Sequence, residues 1–176
     1  LREAEAGVLE SPMTIGYDAA ASGGRFVYCP LDPGVGGQLL LTFWAPVAGV
    51  YQLWGRASGD SIGHDSFWVT VDGGVRVRYD IPVGDWGWKV VSANTPEGYM
   101  PMAYQLGYGP HTVQVETREA GSQLDLMEFR LGGTIPTPFL TPTQTETPVG
   151  WVTPTPTRTS LVVPTATSSQ TPTKTL

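Results

Sequence analysis

From Thr134 to Leu176 the chain offers almost nothing from which a core could be built. Of those 43 residues, 15 are Thr, 3 are Ser and 8 are Pro. Pro removes a backbone donor and Thr supplies little apolar surface, so such a segment cannot bury enough to offset the entropy of ordering itself. Tracts of this kind read as extended, often O-glycosylated stalks. Thr137, Thr141, Thr143, Thr145, Thr147, Thr153, Thr155, Thr157, Thr159, Thr165 and Thr167 are the acceptors expected to carry sugar. Globular structure must therefore come from residues 1–133, a length that suits one domain with a sizeable core.

That domain carries 15 acidic residues against 8 basic ones, with no Lys/Arg cluster. Such a balance argues against nucleic acid and against an anionic membrane surface as partners. No run of 18 apolar residues is present, so no membrane span is expected. Few charges, many glycines and many aromatic rings suit an extracellular all-β protein. The opening Leu1-Arg2-Glu3-Ala4-Glu5-Ala6 reads as a mature end left by processing, which makes the expected location secreted or cell-surface. Cys29 stands alone, so no internal disulfide can form; it is either a small buried side chain or half of an intermolecular bridge. Asn94-Thr95-Pro96 is not an N-glycosylation site.

Through 1–133 the hydrophobic pattern has a period of two, not 3.6. Gln38 to Trp44, Val50 to Ala57, Ser66 to Asp72, Val75 to Ile81, Trp88 to Ala93, Met102 to Leu106, Thr112 to Arg118 and Leu124 to Leu131 read as strands, with weaker ones near Glu3–Ala6 and Met13–Tyr17. Tyr51, Leu53 and Gly55 alternate with Gln52, Trp54 and Arg56; Phe67, Val69 and Val71 alternate with Trp68 and Thr70. Asp72-Gly73-Gly74 is a tight hairpin signal, because these residues tolerate positive φ. Short strands punctuated by Gly/Pro turns indicate an all-β, jelly-roll β-sandwich followed by the extended tail.

The order of several short motifs resembles a known group. These are Glu3-Ala4-Glu5, Ala21-Ser22-Gly23-Gly24-Arg25-Phe26-Val27, Pro46-Val47-Ala48-Gly49-Val50-Tyr51-Gln52-Leu53-Trp54-Gly55-Arg56, Asp65-Ser66-Phe67-Trp68-Val69-Thr70-Val71-Asp72-Gly73, His111-Thr112-Val113, Arg118-Glu119-Ala120-Gly121 and Leu124-Asp125. Together they resemble the galactose-binding-like β-sandwich modules of carbohydrate-binding families six and thirty-five, over residues 1–133 and not the tail. The resemblance implies a structural calcium site in which Glu3, Glu5 and Asp125 converge. Ca²⁺ takes six to eight oxygen ligands, and three carboxylates with backbone carbonyls can supply them. The alternative is that Glu3 and Glu5 form a solvated strand face.

Sugars stack their C–H faces on flat rings while polar side chains hold the hydroxyls. Family relatives keep a tryptophan like Trp88 in the core, which leaves Trp86 as the ring expected to meet a ligand, with Asn94 and Tyr99 flanking the next loop. A second candidate is Trp54, Arg56 and Trp68, which share outward parity on two strands and form an aromatic platform if those strands are neighbours. Against both stands the usual place of Trp in a sandwich, the core, and an exposed aromatic patch can equally be a protein interface.

Catalysis has little support. Ser, His and Asp crowd together in Asp60-Ser61-Ile62-Gly63-His64-Asp65, but residues so close in sequence do not easily adopt nucleophile–base–orienter geometry. His111, after Gly109-Pro110, reads as a turn residue. Nucleophile-elbow, metalloprotease and phosphate-loop motifs are missing.

The tail is not uniformly polar. Phe139-Leu140, Trp151-Val152 and Leu161-Val162-Val163 form apolar knots about eleven or twelve residues apart. In an extended chain that is roughly 35–40 Å, about one small-domain diameter. Two functions follow. In the favoured one the protein is a non-catalytic, secreted structural subunit whose tail docks on neighbouring copies, so that it self-assembles into a fibre or surface layer and carries glycan. In the alternative it is a glycan-targeting module with a linker tail.

Overall fold

The computed structural model describes residues 1–30 and 36–132. The chain divides into two compact units, Leu1–Thr141 and Pro142–Leu176, and every described residue belongs to the first. The expected glycosylation threonines and the docking residues Phe139 to Val163 lie outside the described residues.

The chain opens with β1 (Arg2–Glu3), a single 3₁₀ turn over Ala4–Ala6, then β2 (Val8–Glu10), β3 (Thr14–Tyr17) and β4 (Arg25–Tyr28). The long strands β5 (Gln38–Ala45), β6 (Gly49–Ser58) and β7 (Ser66–Val71) follow, then the shorter β8 (Val77–Asp80), β9 (Gly87–Val90), β10 (Ser92–Thr95), β11 (Gly98–Pro101) and β12 (Tyr104–Leu106). The long strands β13 (Gly109–Thr117) and β14 (Gln123–Leu131) close the domain.

Two antiparallel sheets result. One has five strands in the order β2-β5-β13-β7-β8. The other has seven: β12-β6-β14-β4-β3, with β1 also on β14 and β9 also on β6. Along one edge of β6, β9 occupies Trp54 to Ala57 and β12 occupies Gly49 to Tyr51. Between them the chain leaves the sheet to make the β10–β11 hairpin, in which Asn94 pairs with Tyr99. This is the all-β jelly-roll sandwich that the period-two pattern predicts.

The core forms where the alternation says it must. Leu39, Leu41, Phe43 and Ala45 of β5, Tyr51, Leu53 and Ala57 of β6, Phe67, Val69 and Val71 of β7, and Val113 and Val115 of β13 all point inward and are buried. Tyr79 on β8 crosses the core: its hydroxyl donates toward the carbonyls of Gly55 and Lys89 in the facing sheet, at 2.9 and 3.0 Å. Gly55 makes room for it, since a Cβ there would stand 2.6 Å from that hydroxyl. The Asp72-Gly73-Gly74 hairpin is as expected, with positive φ at Asp72 and Gly73 and Gly74 N–H donating to Val71 at 2.8 Å.

Three expectations are corrected. The opening Glu3–Ala6 stretch is mostly a 3₁₀ turn, not a strand. Trp88–Ala93 is not one strand: β9 ends at Val90, Val91 is buried at the switch, and β10 begins the hairpin. Tryptophan does not fill the core. Trp44, Trp54, Trp68, Trp86 and Trp88 are all absent from it, and the interior is closed by Leu, Val, Phe and Tyr instead. Cys29 is fully buried, in keeping with a small interior side chain.

Candidate functional site

The six residues expected to hold sugar fall into separate places. Trp54 and Arg56 lie on β6 in the seven-stranded sheet, whereas Trp68 lies on β7 in the five-stranded sheet. The shared outward parity is real, but it points to opposite sides of the sandwich, so the three form no common platform. Parity fixes which way a side chain points from its own sheet and says nothing about which sheet the strand joins.

Trp68 instead shares a cleft with Asn94. A cleft of about 320 Å³ opens between the β7–β8 edge and the β10–β11 hairpin, lined by Trp68, Arg76, Arg78, Asn94 and Met102 with Val75, Val77 and Ala93. The Trp68 indole is held by two guanidinium groups, Arg76 at 4.6 Å and Arg118 at 5.7 Å from the ring centre. Arg76 is anchored by Glu116 at 2.8 Å. Arg118 donates to Ser66 Oγ at 2.5 Å and pairs with Glu119. Burial pushes the Glu119 carboxyl up, but the Ser66 hydroxyl, the Asp65 N–H and Arg118 outweigh it and hold the group below its ordinary range. Tyr99 stands at the rim, more than half exposed, with its hydroxyl 3.4 Å from Arg78 and Lys89 5.4 Å from its ring centre. Asn94 is exposed and lines the cleft. The cleft thus joins one fixed indole and several donors in a concave space, a make-up that suits a small-ligand site.

Trp86 is the more enclosed of the pair and Trp88 the more exposed, the reverse of the expected placement. Trp86 is tied into its own domain: Nε1–H donates to Asp18 at 2.8 Å, the ring packs on Phe26 at 5.4 Å, and Arg56 stands 5.5 Å from its centre. The Ala20 N–H and the Trp86 N–H, with Arg56, outweigh desolvation and hold the Asp18 carboxyl below its usual range. Trp88 lies on β9 opposite Arg56 and is exposed, because its parity on β9 faces water.

Glu3 and Asp125 meet at the start of β14, and Glu5 follows Glu3 in the 3₁₀ turn. Ser22 links Glu3 and Asp125: its hydroxyl donates to Glu3 at 2.9 Å and its N–H to Asp125 at 3.0 Å. Arg56 pairs with the fully buried Asp125, and Arg25 reaches Glu5 at 3.4 Å. Burial raises the Asp125 carboxyl above its ordinary value, opposed by the Arg56 and Ser22 bonds and helped by the charge on Glu3. One oxygen of each glutamate, Glu3 Oε2 and Glu5 Oε2, is buried without a partner. Two orphaned carboxylate oxygens in a dry place are the chemistry a hard cation would satisfy. Among the described residues, however, no three His, Cys, Asp or Glu side chains are already set around a point that could hold a metal ion. Arg56 holds the Asp125 oxygen that such an arrangement would need.

The Ser-His-Asp stretch is in the wrong order for catalysis. Ser61 Oγ donates to Asp60 at 3.3 Å and His64 Nδ1 contacts the same oxygen at 2.9 Å, so the serine is not bonded to the histidine. No helix among the described residues is long and apolar enough to cross a membrane.

No family model matches the sequence, and no curated protein does. Solved structures do. A family 35 carbohydrate-binding module from Clostridium thermocellum matches at a TM-score of 0.55 and 17% identity, covering 73% of this chain and 96% of that one. The GH26-CBM35 β-(1,4)-mannanase of Podospora anserina matches at a TM-score of 0.59 and 16% identity over 77% of this chain. An exo-β-1,3-galactanase of Phanerochaete chrysosporium, solved with galactose, matches at 0.56 and 21% over 73%. This chain spans only 28% of the length of each of those two enzymes but nearly the whole of the isolated module. The fold is therefore that of a carbohydrate-binding-module β-sandwich. These likenesses favour the module reading and give no support to the self-assembling fibre subunit expected from the tail.

Proposed function

We propose that residues 1–133 form a non-catalytic glycan-binding module of a secreted protein, with the cleft beside β8 as its sugar site and the Thr/Pro tail as an extended linker bearing O-linked sugar. One observation carries the reading: Trp68 and Asn94, distant in sequence, line one concave site together with two arginines, one of which lies 3.4 Å from the Tyr99 hydroxyl. Trp68 and the exposed Tyr99 ring offer flat surfaces for sugar C–H groups. Asn94, Arg76 and Arg78 offer donors for hydroxyl oxygens. Mannans and galactans are the polysaccharides to try first, since enzymes acting on them share the fold.

The experiment is affinity electrophoresis of the full chain in gels containing β-1,4-mannan or β-1,3-galactan. Retardation is expected in at least one. Trp68→Ala and Asn94→Ala should each weaken it about tenfold, equivalent to ~1.4 kcal/mol. Unretarded wild-type protein in both gels, or retardation indifferent to both substitutions, counts against the site.

The same reading includes a structural calcium ion held through Glu3 and Glu5, with Asp125 released to it by Arg56. Bound there, the ion would take up the one buried oxygen of each glutamate that has no partner. Calcium should then raise the melting temperature by several degrees, as expected when a ligand binds only the folded state. A melting curve unchanged by calcium and by chelator removes the ion.

A further inference from the structure

The cleft beside β8 is more aliphatic than an unsubstituted sugar requires. Next to the Trp68 indole its wall is made by Val75, Val77, Ala93 and Met102. A sugar ring presents its C–H groups on a flat face, which one indole can cover. Branched side chains and a thioether add little to a flat contact; they suit a small rounded apolar group such as a methyl. Val77 is buried and Val75 is 75% exposed, so the aliphatic wall runs from an enclosed position to an open one. The volume, about 320 Å³, lies at the small end of the usual range for ligand pockets. That suits one sugar unit and its substituent better than a long stretch of chain.

The polar lining says how such a methyl would be attached. Asp80 accepts from Nε and Nη2 of Arg78 at 3.2 and 3.0 Å, and Glu116 stands 2.8 Å from Nε of Arg76. Each positive charge already has its counter-charge, which removes the main attraction for a carboxylate, sulfate or phosphate on the ligand. A guanidinium has five N–H groups, so both arginines keep donors for uncharged oxygen. Acceptors are scarcer. Both carboxylates are engaged by the arginines, and Asn94 supplies the side-chain amide oxygen of the lining. A methyl attached through an amide would bring an N–H that asks for an acceptor. A methyl attached through an ester brings two oxygens, and both only accept.

We propose that the cleft selects a neutral sugar carrying an O-acetyl ester, with the acetyl methyl against Val75, Val77 and Met102 and the ester carbonyl accepting from Arg76 or Arg78. The inference rests on the reading of the cleft as a sugar site and adds the substituent that decides which stretch of polysaccharide is held. One small apolar group more or less in an apolar pocket changes affinity by about tenfold. An acetylated chain is therefore held more tightly than the same chain without its esters, and the module directs the protein to the acetylated regions of a polysaccharide.

The test is calorimetric titration of the full chain with O-acetylated oligosaccharides of β-1,4-mannan or β-1,3-galactan, whichever polysaccharide retards it, and with the same oligosaccharides after mild alkali has removed the esters. The acetylated form should bind about tenfold more tightly. Val75→Ser, at an exposed position, and Met102→Gln, which keeps the length of the side chain, should each lose most of that difference, with circular dichroism confirming the fold. Trp68→Ala should weaken both forms. Equal affinity for the two forms, with Trp68→Ala weakening both, overturns the ester and leaves the cleft standing. A preference for the acetylated form that survives in both Val75→Ser and Met102→Gln overturns the aliphatic wall as its cause. Tighter binding of N-acetylated chito-oligosaccharides or of uronic-acid oligosaccharides than of the ester overturns the assignment of a neutral ester. Binding to neither polysaccharide, or binding untouched by Trp68→Ala, overturns the reading on which the inference rests.

Discussion

The two outward faces of the sandwich solve the problem of displaying tryptophan in different ways. On the five-stranded side, Trp68 lies at a junction. A hairpin that left the other sheet comes alongside β8 and turns a flat surface into a cleft. On the seven-stranded side, Trp54 and Trp88 sit on adjacent regular strands, and no added element rises beside them. The first arrangement encloses and the second only supports. Depth on a β-sandwich thus comes from excursions of the chain between sheets, while a flat display of rings needs only correct parity on neighbouring strands.

Three substitutions probe how separate the faces are, beyond those that test binding directly. The largest effect is expected at Gly16. It pairs with Phe26 across β3 and β4, and any Cβ there would overlap the Phe26 ring. Gly16→Val should destabilise the fold by about 1–3 kcal/mol, as overpacking does. Because Phe26 supports Trp86 on the seven-stranded side, it should disturb that side while retardation through the Trp68 cleft persists. Loss of cleft binding in protein that is still folded would show the faces are coupled.

Next is Tyr79→Phe. The hydroxyl bridges the sheets beneath both faces, and its removal leaves the Gly55 and Lys89 carbonyls without that donor. A loss of roughly 1–2 kcal/mol is expected in denaturant unfolding.

The smallest effect concerns His111, at the end of the five-stranded sheet and away from both faces. The Asp72 carboxylate at 2.6 Å and the Gly107 carbonyl at 3.0 Å both accept from the ring and raise its pKa above the ordinary histidine value. A raised folded pKa means the stabilisation is complete below the unfolded value, about 6.5, and is lost as pH rises through the folded value. Since Asp72 is 42% exposed, the effect should stay under about 1 kcal/mol. Melting temperature should fall slightly between about pH 6 and about pH 8, and Asp72→Asn should flatten that slope without changing glycan binding.

Much of the fold was legible because the long strands alternate cleanly. Leu39-Leu41-Phe43 on β5 and Phe67-Val69-Val71 on β7 point inward as their spacing predicts. The pattern fails where alternation runs on through a change of sheet, as at Val91, since a strand leaving one sheet for a hairpin keeps the same period. The site residues were legible one by one and not as groups. Trp68, Asn94 and Tyr99 are each recognisable as ring or amide candidates, but their meeting depends on where the hairpin lands. Trp88 was misjudged because tryptophan is usually buried in sandwiches, and here β9 parity turns it outward.

With all five described tryptophans outside the core, the intrinsic fluorescence of this domain reports on its boundary with water and not on its interior. Unfolding should shift the emission maximum only modestly, so far-ultraviolet circular dichroism is the better monitor of the fold. A saccharide settling over Trp68 would remove solvent from an emitting indole directly. If the proposed cleft takes up sugar, the Trp68 emission should report it, and Trp68→Phe should remove that signal.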